Sequence, residues 1–503
     1  MTSSNSDDLF STRRAGVLLH PTCLPGSWGV LGASARTFTD FLADCSLSIW
    51  QTLPIGPTHR DLSPYQSLSA HAGNPDFIDL YELVETGLLA DRELSQPAPE
   101  VRHHLLTLAA KRFFSSDGGG RNGLDRAAYQ RFRAANDYWL DDFCLFWAIR
   151  EIQDSPGWLQ WPEPLKDRDR GALRDFVDQN RSRLARIRFE QFLFHYQWQA
   201  LRNHAREKGV LLFGDIPIFV AHDSADVWAN RHLFKLDERG ESTVVAGVPP
   251  DYFSSEGQHW GNPLYNWEAM AADGYQWWLE RLESQRHLFD LIRIDHFRGL
   301  QAYWEIPAAT PEPRHGYWAP GPGAPFLDAC FTRFPDLPLV AENLGVISDD
   351  VEGLRKRFRL PGMTVMQFGF DGSPDNPHLL HNHHARDIVY TGTHDNDTTL
   401  GWYQSLDDHT RRYVNDYLGT TGEGMPWPLI DAAFRSVCSL AIVPMQDFMG
   451  LGTEARFNTP GTVVNNWIWQ LDWNLCKKEL SRIIADSVRQ HGRWAPPMSL
   501  TVF

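Results

Sequence analysis

No apolar run in this chain approaches the ~18 residues of a membrane-spanning helix, so no membrane span is expected. Cysteine is scarce: six in 503 residues (Cys23, Cys45, Cys144, Cys330, Cys438 and Cys476), with no CxxC pair and no dense framework. Cysteines scattered in this way act as small apolar residues in a reducing compartment and argue against a disulfide scaffold. Positive charge is also short. Lys and Arg number 47 against 63 Asp and Glu, a net charge of −16. This disfavours nucleic acid and anionic membrane as partners, since both reward a basic surface. No internal repeat with a period of about 20–50 residues is evident. Arg13-Arg14 and the apolar run 15–19 superficially suggest a twin-arginine signal. The run is too short for a signal core, however, and no small-residue cleavage site follows. It reads as a first buried strand, and a cytoplasmic location is expected.

What the chain has in abundance is aromatic surface: 20 Trp, 14 Tyr and 29 Phe. Many belong to the core, but Trp in this number also suits a protein that lays flat rings on a ligand. A composition of 42% hydrophobic and 22% charged residues is ordinary for a globular protein. A chain this long buries a large core without disulfide or metal staples.

Short apolar runs that end in polar residues recur along the chain. They are AGVLLH (15–20), LSIWQTLP (47–54), VLLFGDIP (210–217), FDLIRIDH (289–296), LPLVAEN (337–343), TVMQFGF (364–370), DIVYTGTHD (387–395) and LAIVPMQD (440–447). Each reads as a strand buried on both faces, the habit of a parallel sheet. Eight of them suggest an α/β fold of the TIM (β/α)8 type. The expected organisation is a catalytic barrel from 1–65 and 206–503, with a mainly helical subdomain inserted at 66–205. Helical patterns cover 101–114, 126–152 and 171–205, interrupted by the flexible SSDGGGRNG (115–123). The Pro- and Gly-rich stretch 307–325 is expected to be irregular. The segments 247–263 and 452–467 mix Gly, Pro, amides and aromatics without a period, and read as lids at the barrel mouth.

In such a barrel the polar strand ends share one rim, here Asp215, Asp295, Glu342, His394 and Asp395. Carboxylates at the carboxyl ends of several strands read as catalytic. In RIDHFRG (293–299), Arg293 stands two positions before Asp295, on the same strand face. A guanidinium there favours an ionised Asp, a competent nucleophile for the anomeric carbon of a sugar. Glu342, in AENLG (341–345), follows an apolar strand, and burial raises the pKa of a Glu, which suits a general acid. In YTGTHDNDT (390–398), His394 and Asp395 are placed to grip adjacent hydroxyls of one ring. A salt bridge accounts for any one of these acids but poorly for all three. The cluster His378, His381, His383 and His384 lies among Asn and Pro and reads as a solvated loop. No metal and no cofactor are expected. GPG (321–323) is discounted as a phosphate loop because no strand–turn–helix is expected around it.

RIDHFRG, AENLG and YTGTHDNDT, in this order, resemble the signature of the 4-α-glucanotransferases, glycoside hydrolase family 77. The resemblance extends to LLHPTCLPG (18–26), WQTLPIGP (50–57), SPYQSLSA (63–70), AGNP (72–75), GDIPIFVAHDSADVW (214–228), GVPPDYFSSEGQHWGNPLYNW (247–267), LPGMTVMQFGF (360–370) and NTPG (458–461). It is faint across 80–200. It implies a retaining double displacement on maltooligosaccharides and α-1,4-glucans, with glucose as an acceptor. Asp295 is then the nucleophile, Glu342 the acid and base, and Asp395 the group that grips ring hydroxyls. Retention asks for a nucleophile and acid about 5–5.5 Å apart. The resemblance also places Asp215, Arg293, His296 and His394 at the cleaved sugar, with Ser63 and Tyr65 nearby, and Trp260 and Asn466 reaching glucan from the two lids. The chain departs from the family pattern at Cys23-Leu24-Pro25, THRDLSPY (58–65), RFN (456–458) and NWIWQ (466–470). None of these touches the three acids. Two other readings stay open on sequence: an α-glucan hydrolase of the α-amylase kind, and a catalytically silent glucan-binding protein.

Overall fold

The structure is a computed structural model that describes residues 9–115, 119–153, 157–250 and 256–496. Among these residues it has twelve strands: β1 (Arg14–Leu18), β2 (Ile49–Gln51), β3 (Leu211–Pro217), β4 (Val244–Val248), β5 (Gln258–Pro263), β6 (Leu291–Asp295), β7 (Ala302–Pro307), β8 (Tyr317–Pro320), β9 (Leu339–Ala341), β10 (Met363–Val365), β11 (Ile388–Tyr390) and β12 (Leu440–Pro444). Eight of them form one parallel sheet in the order β10-β11-β12-β1-β2-β3-β6-β9. These are the eight apolar runs read from the sequence, and they form a nearly closed TIM barrel. The gap between β9 and β10 is spanned by two bonds: Ala341 N–H donates to Pro361 O at 2.9 Å, and Met363 N–H donates to Asn343 Oδ1 at 2.8 Å.

The elements between β2 and β3 are helical. The longest, Arg181–Glu207, packs on the barrel through Trp198, whose ring meets Phe289 edge-on at 5.4 Å. Two helical stretches expected to be continuous are each split in two. Arg126–Ala135 and Asp137–Gln153 part at Asn136, and Arg170–Gln179 and Arg181–Glu207 part at Asn180. Each Asn turns its amide back onto the carbonyl four residues earlier, Phe132 or Phe176, offering the backbone an alternative to helix.

The other four strands form an antiparallel sheet in the order β5-β4-β7-β8. This corrects the sequence reading in two places. The segment 247–263 holds the end of β4 and all of β5, which pair with each other, with 251–255 outside the described residues. The stretch 307–325 is not irregular throughout: it carries β8 and the start of helix Gly323–Arg333. A strand and a helix therefore do flank GPG (321–323). Pairing with β7 supplies the order that Pro and Gly withhold locally, and Pro320 closes an edge strand, where a missing N–H costs little.

The His-rich loop is a loop, but not a solvated one throughout. His383 is buried between Ser436 Oγ (2.7 Å) and Thr364 Oγ1 (3.1 Å), and His378 Nδ1 accepts from Val365 N–H at 3.2 Å. No group of His, Cys, Asp or Glu suited to a metal is present among the described residues.

Candidate active site

The site forms because neighbouring strands end at one level. Asp215 on β3 lies opposite Arg293 on β6, and Ile294 lies opposite Ala341 on β9. Gly214 permits this packing: a Cβ there would sit 2.2 Å from the Phe289 ring, so only Gly lets β3 lie so close. Alternation along β6 turns Arg293 and Asp295 to one face. The Arg293 guanidinium then forks, donating from Nη1 to Asp215 Oδ2 (2.6 Å) and from Nη2 to Asp295 Oδ1 (2.8 Å).

Glu342 follows β9 directly and is held by backbone alone. Its Oε1 accepts from Leu344 N–H (2.7 Å) and its Oε2 from His296 N–H (2.6 Å). The second bond depends on strain, because His296 adopts left-handed backbone at φ 53°, uncommon for a residue with a side chain. That turn aims the 296 N–H back at Glu342. Asp395 is held differently, on the loop after β11. Its Oδ1 accepts from Asn458 Nδ2 (2.6 Å) and lies 3.4 Å from His394 Nε2, while its backbone carbonyl accepts from Arg456 Nη2 (2.7 Å).

Exposure separates the roles these acids can take. The Asp295 side chain is 29% exposed and that of Asp395 49%, whereas the Asp215 side chain is fully enclosed. Asp215 therefore supports the site from beneath. It also accepts from Tyr65 OH at 2.7 Å, and the Tyr65 ring stacks on His394 with centroids 5.1 Å apart.

Burial pushes Asp295 up, to about 8. Arg293 opposes this, while Asp215, Glu342 and Asp395 add to the rise. The expectation that Arg293 holds Asp295 ionised is corrected here: burial outweighs the guanidinium, which is also shared with Asp215. Burial also raises Glu342, against Arg293 and its two N–H bonds. Asp295 and Glu342 therefore titrate as a pair that retains a proton above the ordinary carboxylate range. Direct contact with Arg293 favours the negative charge on Asp295. Burial lowers His394, and lowers His296 to about 3, so both imidazoles are neutral near pH 7.

Trp260 on β5 meets His296 edge-on at 4.8 Å and donates its indole N–H to Gln258 Oε1 at 3.0 Å. Ser63 sits in the turn before Tyr65, its N–H donated to Asp61 Oδ1. Asn466 lies eight positions past Asn458 in the same loop. Its amide closes its own loop, accepting from Thr459 N–H (3.0 Å) and donating to Thr462 O (2.9 Å). Sequence reasoning missed Asn458 and Arg456, which hold Asp395, and Trp467, whose ring lies 6.1 Å from His394 and 6.2 Å from Tyr65. The expectation that RFN (456–458) touches none of the three acids is corrected, since Arg456 and Asn458 both bond to Asp395.

A family profile described as 4-alpha-glucanotransferase matches residues 19–475. The chain is 46% identical to a 4-alpha-glucanotransferase of Thermus thermophilus, over 91% of this chain and 95% of that protein. It is 44% identical to a chloroplastic/amyloplastic 4-alpha-glucanotransferase of Arabidopsis thaliana, over 92% and 82% respectively. Among solved structures it is similar to an amylomaltase from Streptococcus agalactiae in complex with acarbose. The TM-score is 0.90 at 32% identity, covering 96% of this chain and all of that one. No helix among the described residues is long and apolar enough to cross a membrane.

Proposed function

The chain belongs to the 4-alpha-glucanotransferase family and transfers α-1,4-glucan segments, and from that premise we propose how its rim residues divide the work. Asp295 attacks the anomeric carbon of the donor as Glu342 gives its proton to the departing 4-hydroxyl oxygen. The glycosidic C–O bond breaks and an ester to Asp295 Oδ forms. Glu342, now a carboxylate, takes the proton of the incoming 4-hydroxyl, whose oxygen displaces Asp295. Two inversions give retention. The observation that carries this reading is the Arg293 fork, which grips the half-buried Asp295 while Glu342 rests on neutral N–H donors.

Asp395, steadied by Asn458, grips ring hydroxyls and tightens as the ring flattens toward an oxocarbenium ion. Neutral His296 and His394 hydrogen-bond the same sugar; His296 Nε2 is buried without a partner among the described residues. Tyr65 lies beside that sugar through its stack on His394. Arg293 and Asp215 hold the nucleophile. Ser63 and Asn466 shape the turn and loop that border the cleft. Trp260 stacks on an acceptor glucose and helps a sugar hydroxyl prevail over water at about 55 M, which only positioning and exclusion can achieve. Glucose and maltooligosaccharides serve as acceptors, the site needs no metal or cofactor, and nucleic acid and membrane are not partners. The scattered, largely buried thiols suit the cytoplasm.

The test is covalent trapping. Glu342→Gln incubated with an α-maltosyl fluoride needs no acid to expel the leaving group, but lacks the base for turnover. A glycosyl adduct should accumulate on the peptide that holds Asp295. An adduct on another carboxylate overturns the assignment. With maltotriose, the unmodified chain should give a ladder of longer sugars beside free glucose, whereas shortening alone would mark hydrolysis.

A further inference from the structure

The antiparallel sheet carries more than Trp260. His259 on β5, Gly247 on β4, Trp304 on β7 and Trp318 on β8 lie directly opposite one another across it. At the β8 edge, Trp318 remains 41% exposed, although it already has two neighbours. The Arg298 guanidinium lies 3.8 Å from its ring centroid, and Trp304 meets it edge-on at 5.1 Å. Trp304 is itself tied down, donating its indole N–H to Pro313 O at 2.8 Å. These two contacts leave part of the Trp318 ring open to solvent. A cation laid against an indole holds it in a fixed plane. An aromatic held flat and left open is an unusual expense at a surface unless something lies on it.

Its position says what that is. Arg298 is three residues past Asp295 and donates to Val346 O, four residues past Glu342. The charge of Glu342 acts on this guanidinium. Trp318 therefore covers the segment that leaves the acid, beside a Val346 that is 55% exposed. Trp260 and Gln258 share the sheet face opposite His259, Trp304 and Trp318, so Trp318 is tied to the site through Arg298 and not through Trp260. The other exposed aromatic of the strand, Tyr317, points to the opposite sheet face and is engaged with Glu305 (2.5 Å).

We propose that Trp318 is a stacking platform for a distal glucose unit of an acceptor chain, on the side of the cleft where Glu342 delivers and recovers its proton. This rests on the assignment of Glu342 as the acid and base, because that assignment defines the acceptor side. An apolar ring face suits the flat C–H face of a glucose unit, and a neutral chain suits a protein of net charge −16.

The experiment uses the full chain with maltotriose as donor, and labelled glucose or labelled maltoheptaose as acceptor. Trp318→Ala should raise the KM for maltoheptaose about three- to tenfold and leave that for glucose within about twofold, the range of one aromatic stack. Trp318→Tyr should recover most of the loss. Trp318→Leu, which keeps apolar cover over Arg298 without a flat ring, should behave like Ala and serves if Ala does not fold. An equal rise for both acceptors, or no rise, overturns the platform in favour of simple cover for Arg298. A dependence on donor length instead places the ring on the other side and overturns the proposal too. Loss of a dimer in sedimentation, with acceptor kinetics unchanged, would assign the patch to a second copy of the chain. The adduct experiment on Glu342→Gln is independent of all these outcomes, so failure of the acid assignment is distinguishable from failure of the platform.

Discussion

One half of the site is built on strand ends and the other on loops, and the two halves hold their carboxylates by different means. Asp215, Arg293, Asp295 and Glu342 stand at the ends of β3, β6 and β9, largely out of water and within one another's field. Asp395, Asn458 and Trp467 come from segments without strand structure, and Asp395 is half exposed. In the first half the environment sets protonation. In the second, hydrogen bonds set orientation. The division fits the chemistry proposed: bond-making needs a charge and a proton poised close together, whereas gripping hydroxyls needs a fixed acceptor that water has not claimed.

The largest expected effect tests the strand half. Asp295→Asn should lower transfer by more than a hundredfold, as loss of a nucleophile or acid–base group normally does. If a folded Asp295→Asn variant retained more than about a hundredth of activity, Asp295 would not be the nucleophile. The same variant should be more heat-stable. The pair of Asp295 and Glu342 keeps its proton up to about 8 in the folded state, against about 3.9 for an unfolded Asp. The folded state therefore holds the proton more tightly between these values, and stability falls as pH rises through that window. Asn carries no such dependence. The gain in Tm should be larger near pH 8 than near pH 5, on the order of 2–4 °C. A gain independent of pH would contradict the shared-proton picture.

Next comes Glu342→Gln. Turnover of maltotriose should fall about a thousandfold, since general acids supply roughly 10²–10⁴. Formation of the glycosyl-enzyme from a glucosyl fluoride should fall far less. Equal losses for both donors would remove the acid role. In the unmodified chain, donor cleavage should decline on the alkaline side as the raised Glu342 loses its proton.

The loop half should respond more mildly. Asn458→Ala removes one hydrogen bond to a charged group and should cost about tenfold in kcat/KM, with the pH profile unmoved. A loss as large as that of Glu342→Gln, or a displaced alkaline limb, would break the contrast between the halves. The smallest effect is expected at Trp260. Its replacement by Ala should raise the ratio of hydrolysis to transfer about fivefold with maltotriose, the worth of one stacked ring. A uniform drop in rate with an unchanged ratio would confine Trp260 to supporting His296.

Much of this was legible before any fold was known. A strand buried on both faces must be apolar along its length, so β1, β2, β3, β6, β9, β10, β11 and β12 announced themselves. The rim acids followed from where those runs stopped. The four-stranded sheet was not legible. Its strands hold Pro, Gly and amides, and Gly247 finds order only opposite His259 and Trp304. Nor could sequence show that Asp395 meets Asn458 across 63 positions, or Asp215 meets Tyr65 across 150.

By itself, then, the sequence determined the barrel and the identity of its rim acids, because burial and alternation act on residues near one another in the chain. Only the tertiary structure decided that Asp215 lies sealed beneath the site, that Arg293 is shared, and that Asp295 and Glu342 hold a proton between them. Those properties belong to groups from separate strands brought out of water together, where each desolvated charge alters the cost of the next.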